Sequence, residues 1–163
     1  MESAKETLLD WLRDAHAMEH QAEKMLTSFS DRLNDYPELK ARIDTHIQVT
    51  REQQELLRDC IEKQGGSTSK IKDLSAKLIG LSQGISGIFV SDEVVKGAMS
   101  VYVFEQLEIA SYTVLIAAAQ QTVNTRTLEV CEQILPQEVA MAMWLQNYLP
   151  EVTQSFLARS RAS

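Results

Sequence analysis

The sequence is poor in residues that interrupt or cross-link a chain, with 6 glycines, 3 prolines and 2 cysteines in 163 residues. So few breakers, and no Asn-Gly or Asp-Gly dipeptide to close a hairpin, argue against a many-stranded fold. Two cysteines, Cys60 and Cys131, cannot make a disulfide framework, and neither belongs to a Cys-x-x-Cys pair that would suggest zinc or redox chemistry. Basic residues are in the minority, 16 Lys and Arg against 23 Asp and Glu for a net charge of −7. That balance does not suit a binder of the phosphate backbone, so no nucleic-acid partner is expected. Apolar runs are short: Val114 to Ala119, the longest, falls far below a bilayer's thickness, and no membrane partner is expected. The opening MESAKETLLDWLRD places charges where a signal peptide needs an apolar stretch, so the expected location is cytoplasmic.

What remains is globular and helical. The chain is 44% hydrophobic and 24% charged, and its length suits one domain over residues 1–163. A first helix runs from about Ser3 to Leu33 without Gly or Pro. The turn Asn34-Asp35-Tyr36 leads into Pro37, which suits the first position of a second helix ending before Gly65 and Gly66. A weaker, Gly-interrupted stretch follows over Lys70–Phe89. Ser91-Asp92-Glu93 offers an N-cap and first-turn acids for a third helix ending near Gln121. A fourth helix opens at Asn124 and Thr125, is broken by Pro136 and stops near Pro150, leaving a short C-terminal helix over Glu151–Arg159. The short turns make each successive pair antiparallel. The long connection between the second and third helices lets those two run parallel, which is the ferritin-like crossover. The expected fold is therefore all-α: a four-helix bundle of helices about 25 residues and ~37 Å long, with a short C-terminal helix.

The three-four stripes of these helices carry the chemical signal. The first reads Leu8, Leu12, Ala15, Glu19, Ala22, Leu26, Phe29, Leu33; the third Val101, Phe104, Glu108, Ser111, Leu115, Ala118; the fourth Leu128, Cys131, Leu135, Glu138, Ala142, Leu145, Leu149. Each apolar seam holds one glutamate near mid-helix, and mid-helix positions share a level in antiparallel packing. Glu105 lies one turn before Glu108. Buried carboxylates need a proton, a partner or a cation, and a cluster of hard oxygen donors in a bundle core suits iron, manganese or magnesium. The second helix breaks the symmetry: its seam reads Ile43, His46, Val49 or Thr50, Gln53, Leu57, Cys60, with no acid. The Glu-x-x-His spacing of a two-metal bundle is missing.

Three segments, LRDAHAMEHQAE, SDEVVKG and YVFEQLEIASYTVLIAAA, resemble the YciE/YciF-type ferritin-like family, and its YciE branch most. The similarity extends through NDYPELKARI and GISGIF to the Trp144 region, and E-x-x-E-I-A-S-Y is its most specific part. The resemblance implies a small bacterial bundle, dimeric, associated with stress responses and carrying a di-iron-type carboxylate site. It carries Glu19 over as the first-helix acid, Glu105 and Glu108 as the third-helix pair, and Glu138 as the fourth-helix acid. It also marks departures: Val49 stands where relatives place a second-helix glutamate, and Ala142 and Met143 follow Glu138 where relatives have further acids.

Two readings stay open. In one, Glu19, Glu105, Glu108 and Glu138 ligate iron or manganese, His46 and Gln53 complete or orient the shell, and any turnover is a metal-assisted oxidation of iron or peroxide. In the other the acids are remnants that share protons, His46 is a core histidine bonded to a carboxylate, and a metal-free bundle acts by association. Gln53 suits a hydrogen bond to a core acid, and Tyr112 suits packing or a donation to a carboxylate. His16 lies near the seam, while His20 points to solvent. Met141, Met143, Trp144, Leu145, Tyr148 and Leu149 give the fourth helix a broad apolar surface suited to a homodimer.

Overall fold

The computed structural model describes residues 3–67 and 94–162. They form four helices: α1 (Ala4–Ser30), α2 (Pro37–Lys63), α3 (Val94–Gln121) and α4 (Thr125–Ala162). The Lys70–Phe89 stretch with its glycines and the Ser91-Asp92-Glu93 cap lie outside the described residues. The N-terminus of α1 is fixed by a capping box, in which the Ser3 hydroxyl accepts from the Glu6 N–H and the Glu6 carboxylate accepts from the Ser3 N–H. Pro37 opens α2 at the first turn, where its missing N–H costs nothing.

Contacts between helix ends establish the topology. Gly66, just past α2, lies against Leu9 near the start of α1, whereas Gly97, at the start of α3, lies against the Phe29 ring near the end of α1. Helix α2 therefore ends, and α3 begins, at opposite ends of the bundle. Arg126, at the start of α4, pairs with Asp59 near the end of α2. All four neighbouring pairs, α1/α2, α2/α4, α4/α3 and α3/α1, are thus antiparallel. This is the ferritin-like arrangement expected from the long second connection.

Two apolar clusters fill the interior. One gathers Leu8, Leu12, Leu57, Ile61, Leu115 and Ile134 toward the N-terminal end of α1. The other gathers Leu26, Phe29, Leu39, Ile43, Met141, Leu145 and Val152 toward its C-terminal end. Polar side chains occupy the layer between them.

Helix α4 departs from expectation. It is one helix of 38 residues that runs through both Pro136 and Pro150, so the separate short C-terminal helix does not exist. A proline frees the carbonyl four residues earlier. Here those carbonyls belong to Glu132 and Gln146, and both residues, like the prolines themselves, are exposed, so water can satisfy them. The interior face meanwhile keeps Ile134, Glu138, Met141, Leu145 and Val152 buried, which holds the helix together across each break. Helix α1 ends at Ser30, and Leu33 follows it as a fully buried turn residue.

The apolar surface of α4 is also used differently. Met141 and Leu145 are buried, and Trp144, Tyr148 and Leu149 pack against the second cluster, leaving Met143 exposed. Val139 and Leu157 of α4 are exposed too, and further uncovered apolar surface lies on α3. Its most apolar window has a mean hydropathy of 1.3, long and apolar enough to cross a membrane by length and composition, yet only 33% of it is buried. Its inward face carries Glu105, Glu108 and Tyr112 into the bundle, as a core helix does. Its outward face exposes Met99 and Val114. A shallow groove of about 280 Å³ between α1 and α3 is lined by Trp11, Met18, Leu107, Ala110 and Val114.

Helices α2 and α3 end in the same motif. Gly66 N–H donates to the Ile61 carbonyl and Gly65 N–H to that of Glu62, just as Asn124 N–H donates to Ala119 and Val123 N–H to Gln120. The left-handed residue is Gly65 (φ 76°) in the first case and Val123 (φ 55°) in the second. A β-branched residue is strained there, and Val123 is 85% exposed, so no packing offsets it. Val123→Gly is expected to raise stability by about 1 kcal/mol in urea unfolding.

Candidate metal centre

The polar layer is built from all four helices. Helix α1 supplies Glu19, α2 His46, Thr50 and Gln53, α3 Glu105, Glu108 and Tyr112, and α4 Glu138. The four glutamates are each 1% exposed or less and His46 is 3% exposed. Each acid is there because it replaces one residue of an apolar stripe. Glu105 and Glu108, three apart on α3, project side by side into the same layer.

Ligand atoms of His46, Glu105, Glu108 and Glu138 all lie within 4.8 Å of one another. His46 Nε2 is 3.1 Å from Glu105 Oε1 and 3.4 Å from Glu138 Oε2. Gln53 Nε2 donates to Glu138 Oε1 and, at 2.9 Å, to Gln137 Oε1. Glu19 stands beside this group and accepts from the Tyr112 hydroxyl. Of the six residues singled out as metal-site candidates, the structure groups His46, Glu105, Glu108 and Glu138, hangs Gln53 on Glu138, and ties Glu19 to Tyr112. In α2, Thr50 rather than Val49 is buried at this level, and its hydroxyl is taken up by the His46 carbonyl at 3.0 Å.

Glu19, Glu105 and Glu108 each retain one carboxylate oxygen, Oε2, that is buried without a hydrogen-bond partner, and Glu138 Oε2 has only the 3.4 Å approach of His46 Nε2. Buried polar atoms are nearly always satisfied, so these oxygens in one layer suit a cation. The protonation chemistry points the same way. Burial, reinforced by neighbouring carboxylates, pushes Glu19 and Glu108 well above the ordinary carboxylate range. Burial also raises Glu105, to about 7, although His46 pulls it down. For His46, burial favours the neutral ring, but the hydrogen bonding and negative charge of Glu105 and Glu138 outweigh it and raise the imidazole to about 10. Without metal, a protonated His46 is thus the layer's only cation among the described residues.

One residue whose role sequence spacing left open between packing and donation is Tyr112. It is fully buried, and burial together with Glu19 raises its hydroxyl well above the usual phenol range, so it stays a donor to Glu19. The signal was available, since Tyr112 follows Glu108 by one helical turn.

Stability should follow these shifts. A group whose pKa is higher folded than unfolded stabilises the fold while protonated, and that contribution is lost as pH rises between the two values. For Glu105 the window runs from 4.5 to about 7, and for His46 from 6.5 to about 10. Glu19 and Glu108 act in the same sense. The chelated protein is therefore expected to melt at steadily lower temperature from pH 6.5 to pH 10, above the window in which the lowered His16 and His20 act in the opposite sense. Burial and the neighbouring carboxylates make an ionised Glu108 costly in this layer. Glu108→Gln should then raise stability at pH 8 by about 1–3 kcal/mol, with the gain shrinking at pH 5.

The family described as a domain of unknown function (DUF892) matches residues 3–158. A solved structure from Xanthomonas campestris pv. campestris is 37% identical, with a TM-score of 0.83 over 98% of this chain and 99% of that one. YcfI, described as a putative structural protein from Rhodopseudomonas palustris, is 24% identical, with a TM-score of 0.71 over 90% and 94%. The E. coli stress protein YciF is 18% identical, with a TM-score of 0.74 over 94% and 99%. The last two likenesses are likenesses of fold.

Proposed function

The chain belongs to the DUF892 family, and on that footing we propose that it is a ferritin-like, stress-associated bacterial metal protein of the YciE/YciF type, nearest the YciE branch. His46, Glu105, Glu108 and Glu138 hold one hard divalent cation, iron or manganese, in the bundle core. The observation that carries this reading is the set of buried carboxylate oxygens in one layer, three without a hydrogen-bond partner and the fourth met only by His46. The stress association rests on the description of YciF and on the E-x-x-E-I-A-S-Y resemblance.

The donor set is three carboxylates and one imidazole, which suits Fe(II) or Mn(II) over softer ions. Such an ion, once bound, supplies Lewis acidity and, for iron, one-electron chemistry. The chain's own residues do the rest. Gln53 fixes the orientation of Glu138, Tyr112 fixes that of Glu19, and the two apolar clusters keep bulk water from the layer. His46 Nε2 faces Glu105 and Glu138 as a proton donor in the metal-free state, so it must release that proton before it can ligate.

Chelator-free protein reloaded with Mn(II) is expected to retain close to one ion per chain by elemental analysis. Binding should tighten as pH rises through neutrality and release protons, read by calorimetry in buffers of different ionisation enthalpy. His46→Gln should weaken binding by about 10–100-fold, and a parent protein that retains neither Mn(II) nor Fe(II) at pH 8 would end the reading.

A second reading is a metal-free bundle that works by association, and the outward face of α3 favours it. That face, with Trp11 of α1 beside it, is apolar and uncovered, as a dimer interface is before assembly. A second copy of the chain is the expected partner. Light scattering should then give a dimer for the parent and a monomer for Val114→Glu.

A further inference from the structure

Helix α1 carries a second set of donor atoms outside the core layer. His16 and His20 are four residues apart, so they stand one above the other on one helical face. Their ring centroids are 4.6 Å apart and their planes meet at 76°. Two imidazoles sharing one cation through bonds of about 2.0–2.1 Å have centroids about 5 Å apart, so the pair already sits at nearly the right separation. The two rings differ in exposure. His20 reaches solvent, whereas His16 is 6% exposed and its Nδ1 is buried with no hydrogen-bond partner. A buried ring nitrogen without a partner beside a solvent-reaching imidazole offers two nitrogen donors close together.

We propose that His16 and His20 form a second cation site, one that takes a nitrogen-preferring divalent ion such as Zn(II), Cu(II) or Ni(II), with solvent completing the shell. Its chemistry differs from that of the core: two imidazoles and water select borderline ions, where the carboxylate layer selects hard ones. The carboxylates of Glu23 and Glu55 lie near enough to act on His20, and they set their negative charge against the positive charge of Lys24 and Arg58. Glu23 is otherwise engaged by Arg51 and Gln54, and Glu55 by Arg58. Burial, more than any neighbour, keeps both rings below the ordinary histidine value, His16 at about 4. Both therefore present free lone pairs at neutral pH. The inference does not rest on metal occupancy of the core.

The test is titration of the untagged full-length chain with Cu(II) and Zn(II), before and after saturation with Mn(II). The expected result is one Cu(II) per chain that Mn(II) does not block, with two nitrogen donors in its electron paramagnetic resonance spectrum. His20→Gln should weaken Cu(II) and Zn(II) binding at least about tenfold and remove one nitrogen from that spectrum. Because His20 is at the surface, its metal-free melting curve should match the parent's, which separates ligand loss from misfolding. Equal affinity in parent and His20→Gln would overturn the proposal, as would Cu(II) binding abolished by Mn(II).

Discussion

The structure depends on the cost of placing four carboxylates in one dry layer. Taken out of water and next to one another, Glu19, Glu105, Glu108 and Glu138 cannot all remain ionised without a compensating positive charge. In the chain by itself His46 provides it, held between Glu105 and Glu138, while Gln53 also donates to Glu138 and Tyr112 donates to Glu19. A single imidazolium and two neutral donors leave an oxygen of Glu19, Glu105 and Glu108 unsatisfied. That deficit is what gives a cation something to gain. The rest of the fold holds the layer in place.

It does so by length and by closure. Helices of 27 and 28 residues extend well past the layer in both directions, so two separate apolar clusters form above and below it. Each polar group is thereby fixed by packing on both sides along its own helix. The 38-residue α4 is the extreme case, since its buried face carries the helix past two prolines whose freed carbonyls face water. A rigid frame of this kind lets the carboxylates stay close together when charge repulsion would drive them apart, and such preorganisation is what a binding site requires.

The sequence made part of this legible for a simple reason. A polar residue in an apolar stripe is conspicuous on its own helix, and the antiparallel arrangement converts mid-helix position into a shared level. Glu19, Glu108 and Glu138 were readable on that basis, and Glu105 by its spacing from Glu108. The role of His46 was less so, because choosing between a ligand and a core histidine requires the distances to Glu105 and Glu138. Thr50 against Val49 could not be chosen from spacing, since both fall near the seam. The prolines of α4 misled because proline punctuates local sequence, whereas the helix is held by contacts distant in the chain. Helix α3 is apolar on nearly every side, so periodicity does not say which side is left uncovered.

The missing acid on α2 has a consequence for how many cations the layer suits. A symmetric two-ion bundle takes acid from every helix, with histidines to close each half. Here α2 contributes one imidazole and one amide, Thr50 turns its hydroxyl back onto the helix's own carbonyl, and Glu19 is drawn toward Tyr112. The donors that remain close to one another are His46, Glu105, Glu108 and Glu138, enough for one ion and short of the set for two. Glu19 then serves better as a charged neighbour that the Tyr112 proton steadies than as a ligand. The asymmetry of the donor set therefore follows from α2 and Tyr112, two features on opposite sides of the same layer.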